Sequence, residues 1–354
     1  MKILSLFDGI SALQQAFKNL GIEFDGKDNV YFSSEIDKYA IQITQKNFPN
    51  TKQLGDIKEL FTTDEGFENV KKNESLYKSV LNQLPEWRHK ETLELEKNNI
   101  DLLSFGFPCQ DISIAKQDRK GLAGDRSGLF YEALRILKEV KPKFFLAENV
   151  ASMSKEVKEE ITKELFGIEP VLLNSALLTA QTRKRLFWIG KLQENRTYKK
   201  IEISEPEDKG ILLKDILESG NTYQGKSYAL TASYNGAIFW NTLEKKQRTM
   251  ILEPIRLGHF NKGGQGDRIY SVEGKSICLS ANGGGRGGKT GIYKIDLPDG
   301  EYSVRKLTVN ECCRLQGFPD NFCDNVSATQ GYKALGNSFT IPIIEHILKV
   351  IYEK

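Results

Sequence analysis

A chain of 354 residues with 39% hydrophobic and 27% charged residues can bury a large core and has the polarity of an ordinary water-soluble globular protein. No apolar run approaches the roughly 20 residues that span a bilayer, and the N-terminal MKILSLFDGI lacks the longer apolar stretch and small-residue cleavage site of a secretory signal. A net charge of +3 permits nucleic-acid binding without arguing for it, and five cysteines with no CxxC pair and no His-rich partner segment argue against a zinc site or disulfide framework and for a reducing cytoplasm.

In chain order, residues 2–7 (KILSLF) form a continuous apolar strand, followed by a turn at Asp8-Gly9 and a helix over about 11–20. Residues 30–34 read as a second strand and 39–47 as a second helix. Further buried strands fall at 100–104 and 143–147, with a helix over 129–140 between them. Strands alternating with helices at this spacing predict an α/β fold with a doubly wound, mostly parallel sheet. Ligands of such sheets bind at the carboxyl ends of the strands, here the loops holding Asp8-Gly9, Glu35, Asp56, Pro108-Cys109 and Glu148-Asn149.

Residues 61–99, rich in Lys and Glu, read as a mostly helical surface insertion. After Ile189 the texture changes. Residues 202–208 (EISEPED) look like a linker, and the sequence up to about 300 is rich in Gly, Asn and Tyr, with short β-like stretches at 268–272 and 276–280. Helical periodicity returns only at 309–316 and 340–352. A catalytic and cofactor-binding domain over 1–194 plus 329–354 and a second, smaller, loop-rich β domain over 195–328 are therefore expected.

Four elements can carry chemistry. Cys109 follows a buried strand in the run FGFPCQ, where a cysteine is either a small buried hydrophobe or a nucleophile. Gly106 and the polar Gln110 and Asp111 around the Pro-Cys step put the thiol on a ligand-binding loop, where a reactive thiolate needs a lowered pKa and a proton-handling neighbour. Glu148 ends the strand KFFLA, either as a hydrogen-bonded structural carboxylate or as an acid kept protonated by desolvation. In QTRKR, alternation puts Arg183 and Arg185 on one face, as an anion clamp or as an exposed basic edge. The glycine turn in FDGIS opens the first helix to a ligand, although it is not GxGxxG and a dinucleotide reading is weak. Glu35 can accept ribose hydroxyls, and Asp56 an adenine amino group.

The ordered series FDGIS, SEID, GDI, GFPCQ, ENV, QTRKR, RKLTVNECCRLQGFP and GNS resembles the motifs of the DNA cytosine-C5 methyltransferase family, across nearly the whole chain apart from 61–99. The resemblance implies a Rossmann-like S-adenosylmethionine-dependent methyltransferase fold. It makes Cys109 the nucleophile and Glu148 the acid at N3 of the base, with Arg183 and Arg185 supporting that site. Phe7, Asp8, Gly9, Ile10, Glu35, Ile36, Asp56, Ile57, Pro108, Leu129, Asn337 and Ser338 would line the S-adenosylmethionine pocket. The substrate implied is a cytosine flipped out of double-stranded DNA, with the loop at 111–128, including Ser113 and Arg126, filling the space left behind.

Residues 254–258, 262–271, 279–285 and 289–291 are similar to the target-recognition region of family members that methylate the first cytosine of GCGC. By this resemblance Gln265 occupies the vacated gap, Arg268 reads a guanine edge, and Gly283, Gly284 and Gly285 let the backbone approach the bases; a flexible surface loop is the alternative. Ser11 replaces the usual second glycine, Ala115 a serine and Asn282 an aromatic residue. A monomer with no membrane partner is expected, with a separately acting restriction endonuclease as a possible cognate partner and a bacterial or phage origin. The competing readings are a tRNA cytosine-C5 methyltransferase, a catalytically silent DNA-binding relative, and an unrelated cysteine hydrolase using His89, His259 or His346.

Overall fold

Strand β1 (Lys2–Leu6) lies between two parallel neighbours, β2 (Val30–Ser34) and β4 (Leu102–Gly106), and this central position explains why Ile3, Leu4, Ser5 and Leu6 are all buried. The computed structural model describes residues 1–60, 99–108, 128–219, 222, 224–238, 246–254, 269–271, 292–294 and 302–352. The remaining strands of the sheet are β3 (Lys52–Gln53), β5 (Phe144–Val150), β6 (Val171–Asn174), β7 (Lys184–Leu192) and β8 (Tyr198–Lys200). Among the described residues these make an eight-stranded sheet in the order β3-β2-β1-β4-β5-β7-β6, with β8 also on β7. Strands β1 to β5 pair in parallel, whereas β7 runs antiparallel to β5, β6 and β8. The mostly parallel expectation holds, and the strands predicted at 100–104 and 143–147 run on to Gly106 and Val150.

Alternation divides the apolar residues between the two faces. Ile3, Leu102, Leu146 and Ile189 join one core cluster, while Leu4, Leu103, Phe145 and Trp188 join the other. Helices α1 (Ala12–Asn19) and α2 (Lys38–Asn47) contribute to the first layer, α3 (Leu129–Val140) and α4 (Lys155–Glu164) to the second. The first cluster also takes in Leu213, Leu230, Tyr234, Ile251 and Leu307. Beyond the main sheet, β9 (Met250–Pro254) pairs antiparallel with β12 (Tyr302–Lys306), and β10 (Ile269–Ser271) pairs parallel with β11 (Ile292–Lys294). The stretch expected at 268–272 therefore contains a strand; those at 61–98 and 276–280 lie outside the described residues.

Three helices follow: α5 (Val309–Gln316), α6 (Ala328–Asn337) and α7 (Ile341–Tyr352). Thr308 and Glu311 form a capping box at the start of α5, which explains how so short a helix is fixed. Helix α6 corrects the sequence reading, which found helical periodicity only on either side of it. Its two glycines, Gly331 and Gly336, break the apolar pattern. Gly336 is needed because a Cβ there would sit 2.3 Å from the backbone of Thr231 and Ala232. The close approach of two backbones outweighs helix propensity at that position.

Candidate active site and cofactor crevice

The chain leaves β1 and enters α1 through a turn in which Phe7 (φ 55°), Gly9 (φ 61°) and Ser11 (φ 56°) all adopt the left-handed conformation. For the two non-glycine residues this costs on the order of 1–2 kcal/mol each, so surrounding contacts must hold them. The contacts at Ser11 are specific. Its buried hydroxyl donates to Asp8 and lies 3.1 Å from Thr44 Oγ1 on α2. Tyr31 on β2 donates to Asp8 Oδ1 at 2.7 Å. Burial pushes the Asp8 carboxyl above its ordinary value, against hydrogen bonds from Ser11, Ser5, Tyr31 and Ser33. The serine in the glycine position is thus accommodated by a local polar network.

Glu35, just past β2, fastens that turn. Its Oε2 accepts from Gly9 N at 2.9 Å, and Oε1 accepts from Ile36 N at 2.7 Å and Asp37 N at 2.8 Å. Burial raises the Glu35 pKa despite these three donors. Beside it Ile36 is 71% exposed, an apolar side chain left in water at a strand end. Asp56 Oδ1 accepts from Lys58 N at 3.0 Å and so caps the 3-10 turn Ile57–Glu59. Ile57 and Ile10 are core residues, only 3% and 0% exposed. Pro108 follows β4, Leu129 opens α3, the exposed Asn337 closes α6, and Ser338 is buried with its hydroxyl donating to Phe339 O at 3.1 Å. A separate cavity of about 150 Å³, lined by Lys18, Phe24 and Phe48 among others, lies at the opposite ends of α1 and α2 from Ser11 and Asp37.

Glu148 occupies the fifth position of β5, paired with Gly106 of β4 and Phe187 of β7. Arg185 Nε on β7 lies 2.9 Å from Glu148 Oε1, and the two side chains are only 19% and 12% exposed. Desolvation raises the Glu148 pKa, outweighing the opposing charges of Arg185 and Arg183. Gly106 is required here, because a Cβ would stand 2.7 Å from the ring of Phe339 and 3.4 Å from Glu148 Oε2. Phe339 and Glu148 therefore share the open face of Gly106.

Arg183, 4% exposed, takes a different set of partners. Its Nη1 donates to Leu230 O at 2.7 Å, and Nη2 donates to Gly336 O at 3.1 Å and Ser338 O at 2.9 Å. Asn149 was singled out in the sequence only as a loop neighbour, yet its buried Nδ2 donates to Phe107 O at 3.0 Å. It thereby fixes the backbone two residues before Cys109. Gln181 and Gln316 carry no signal beyond their place in longer motifs, and Phe339, just past GNS, carries none. Cys109, Ser113, Arg126, Gln265, Arg268, Gly283, Gly284 and Gly285 lie outside the described residues.

The sheet order, with its loops at the carboxyl ends of β1, β2, β4 and β5, defines an S-adenosylmethionine-dependent methyltransferase fold. A sequence model of C-5 cytosine-specific DNA methylases matches residues 1–353, and the chain belongs to that family. Similar proteins include the type II methyltransferase M.HhaI of Haemophilus parahaemolyticus, 30% identical over 98% of this chain and 93% of that protein. The type II methyltransferase M.HaeII of Haemophilus aegyptius is 30% identical over 98% of this chain and 91% of that protein. The type II methyltransferase M.Bsp6I of Bacillus sp. (strain RFL6) is 27% identical over 100% and 99%. Among solved structures, the S. pombe Dnmt2 methyltransferase matches with a TM-score of 0.56 at 17% identity, covering 100% of this chain and 98% of that one. The Entamoeba histolytica methyltransferase EhMeth matches with a TM-score of 0.53 at 18% identity and the same coverage. At these identities the two structures speak for the fold alone.

Proposed function

We propose that this protein methylates C5 of a cytosine flipped out of duplex DNA, within GCGC, using S-adenosylmethionine. The observation that carries the reading is the buried Glu148–Arg185 pair, one strand away from the segment that leads into Cys109. The crevice fits the cofactor in its chemistry. Glu35 keeps lone pairs for hydroxyl groups beyond its three backbone donors, Ile36 offers an exposed apolar face, and the Phe7–Ser11 turn presents backbone at a helix start. Phe7, Asp8, Gly9, Ile10, Asp56, Ile57, Pro108, Leu129, Asn337 and Ser338 complete the proposed pocket. S-adenosylmethionine supplies an electrophilic methyl group on a sulfonium centre.

The protein's task is to make C5 nucleophilic. The Cys109 thiolate adds to C6 while Glu148 delivers its proton to N3, so the electron pair of the C5–C6 double bond becomes available at C5. A raised pKa suits Glu148 to arrive protonated. Arg185 orients the Glu148 carboxyl and presents a donor beside it. After transfer, a base removes the C5 proton and the thiolate leaves. Flipping costs a few kcal/mol, offset by the 111–128 loop with Ser113 and Arg126. We assign residues 195–328 to target recognition, with Gln265 in the vacated gap, Arg268 on a guanine edge and Gly283 to Gly285 against the bases. The family's type II relatives favour a restriction–modification role in a bacterial or phage setting, with a monomer acting apart from any endonuclease.

The test is covalent trapping. Duplex DNA carrying 5-fluorocytosine at the target should give a stable adduct with the wild type and S-adenosylmethionine, and none with Cys109→Ser. Equal behaviour of the two proteins would refute the mechanism. Methylated plasmid should resist a GCGC-specific nuclease, and full-rate cutting after confirmed methyl incorporation would reject the target.

A further inference from the structure

We propose that Arg183 is a positioning residue, a buried tie between the cofactor-side turn at 336–338 and the recognition-region segment at Leu230, and that it does not contact the base. The proposal rests on the reading of Asn337 and Ser338 as cofactor residues given above. Its basis is geometric. The guanidinium is 4% exposed and donates to three backbone carbonyls at 2.7, 3.1 and 2.9 Å, those of Leu230, Gly336 and Ser338. The three acceptors come from two segments about a hundred residues apart in sequence, and the planar guanidinium meets them with two separate nitrogens, Nη1 on Leu230 and Nη2 on 336 and 338, a spread that the single nitrogen of a lysine does not reproduce.

The surroundings are built to the same end. Gln181 Oε1 accepts from Leu230 N, while its Nε2 donates to Leu315 O and Gln316 Oε1, both at 3.3 Å. Gln316 Nε2 donates to Leu335 O at 2.7 Å, and Thr340 donates to Gln316 Oε1 at 2.9 Å. Thr340 is in turn 3.1 Å from the Ser175 hydroxyl. Every side chain in this chain of bonds is buried. The turn at 336–340 is thus gripped from both sides, by Arg183 on the carbonyls of 336 and 338 and by Gln316 on 335 and 340. The next side chain, Phe339, reaches the face of Gly106 beside Glu148. One guanidinium therefore registers the cofactor edge, the approach to Glu148 and the recognition segment against one another. Arg185, in contrast, sits directly on Glu148.

The experiment is isothermal titration of S-adenosylmethionine into full-length protein without DNA, for the wild type, Arg183→Lys, Arg185→Lys and Thr340→Val, each first checked for a cooperative melt. Arg183→Lys should weaken cofactor binding about tenfold, and Arg185→Lys should leave it within about twofold while abolishing most methyl transfer. Wild-type cofactor affinity in folded Arg183→Lys, or an equal loss in Arg185→Lys, would overturn the proposal. Should Arg183→Lys not fold, Thr340→Val decides: it removes the bond to Gln316 and should weaken the cofactor severalfold, and wild-type affinity in that variant also overturns the proposal. A wild type that fails to bind S-adenosylmethionine at all would instead defeat the proposed function.

Discussion

Glu148 and Arg185 meet diagonally across β5 and β7, with Oε1 and Nε 2.9 Å apart, although the strand register places Phe187 opposite Glu148 and Val150 opposite Arg185. A diagonal contact leaves Glu148 Oε2 turned toward Gly106 and Phe339. Burial and the arginine therefore act on the same carboxyl in opposite senses, and burial prevails. The arrangement thus biases the Glu148 carboxyl toward its protonated form.

From this, Glu148→Gln should lower kcat by roughly 10²–10⁴, the range of a lost general acid, with cofactor affinity unchanged. In the wild type, activity should fall as pH rises through the raised Glu148 pKa, because the acid form is lost. Removing Arg185 removes a group that lowers that pKa, so in Arg185→Gln the alkaline limb should move to higher pH even as kcat drops. A limb that stays in place or moves lower would show that another group sets it.

The same shift has a signed effect on stability. A carboxyl whose folded pKa is raised favours the fold below its unfolded pKa, near 4.5 for Glu148, and that advantage is lost as pH climbs through the folded value. Glu148→Gln cannot ionise, so its melting temperature relative to the wild type should rise from pH 4.5 toward neutral. A constant difference across that window would contradict the burial described here.

Ser11 separates backbone strain from hydrogen bonding. Ser11→Ala keeps the left-handed backbone and loses the bond to Asp8, whereas Ser11→Gly loses the bond and relieves the backbone. Urea unfolding should find the alanine variant less stable than the glycine variant by about 1–2 kcal/mol. The reverse order would mean that the left-handed conformation is not strained.

Ile36 tests the crevice without disturbing the fold. Because the residue is 71% exposed, Ile36→Ala should leave stability within about 0.5 kcal/mol. Cofactor binding measured by titration should weaken several-fold, as apolar contact area is lost. Unchanged affinity would remove Ile36 from the pocket.

Target readout is tested at Arg268. Arg268→Ala should lose about 1–3 kcal/mol of discrimination at a single guanine, seen as relaxed specificity in bisulfite maps of methylated DNA. A uniform loss of rate at all sites would assign the side chain to phosphate contact.

The strands were readable because β1, β4 and β5 are buried on both faces and so appear as apolar runs whose ends mark ligand loops. Glu148 stood out for the same reason, as a carboxylate closing such a run, and Glu35 as the acidic residue just past the second strand. Helix α6 was hidden because Gly336 answers to the backbone of Thr231 and Ala232, a contact with no local trace. The left-handed Ser11 was equally silent, since serine has no evident preference for that conformation. Arg183 and Arg185 looked equivalent by alternation, and only long-range partners tell them apart: three distant carbonyls for one, Glu148 for the other.

Helix α7 lies on α1. Ile343, Ile344 and Ile347 join Leu13, Ala16 and Phe17 in one cluster, the Phe17 and Tyr352 rings meet at a tilt with centroids 5.9 Å apart, and Asn19 Nδ2 donates to Glu345 Oε1, 326 positions away. During synthesis on the ribosome, α1 can pack early against Ile3, Phe24 and Tyr31, but the part of its apolar side that faces α7 stays uncovered until that late segment emerges. At about 5–20 residues per second this leaves a nascent hydrophobic surface waiting for many seconds. Completion of the first layer is thus a late event in biogenesis.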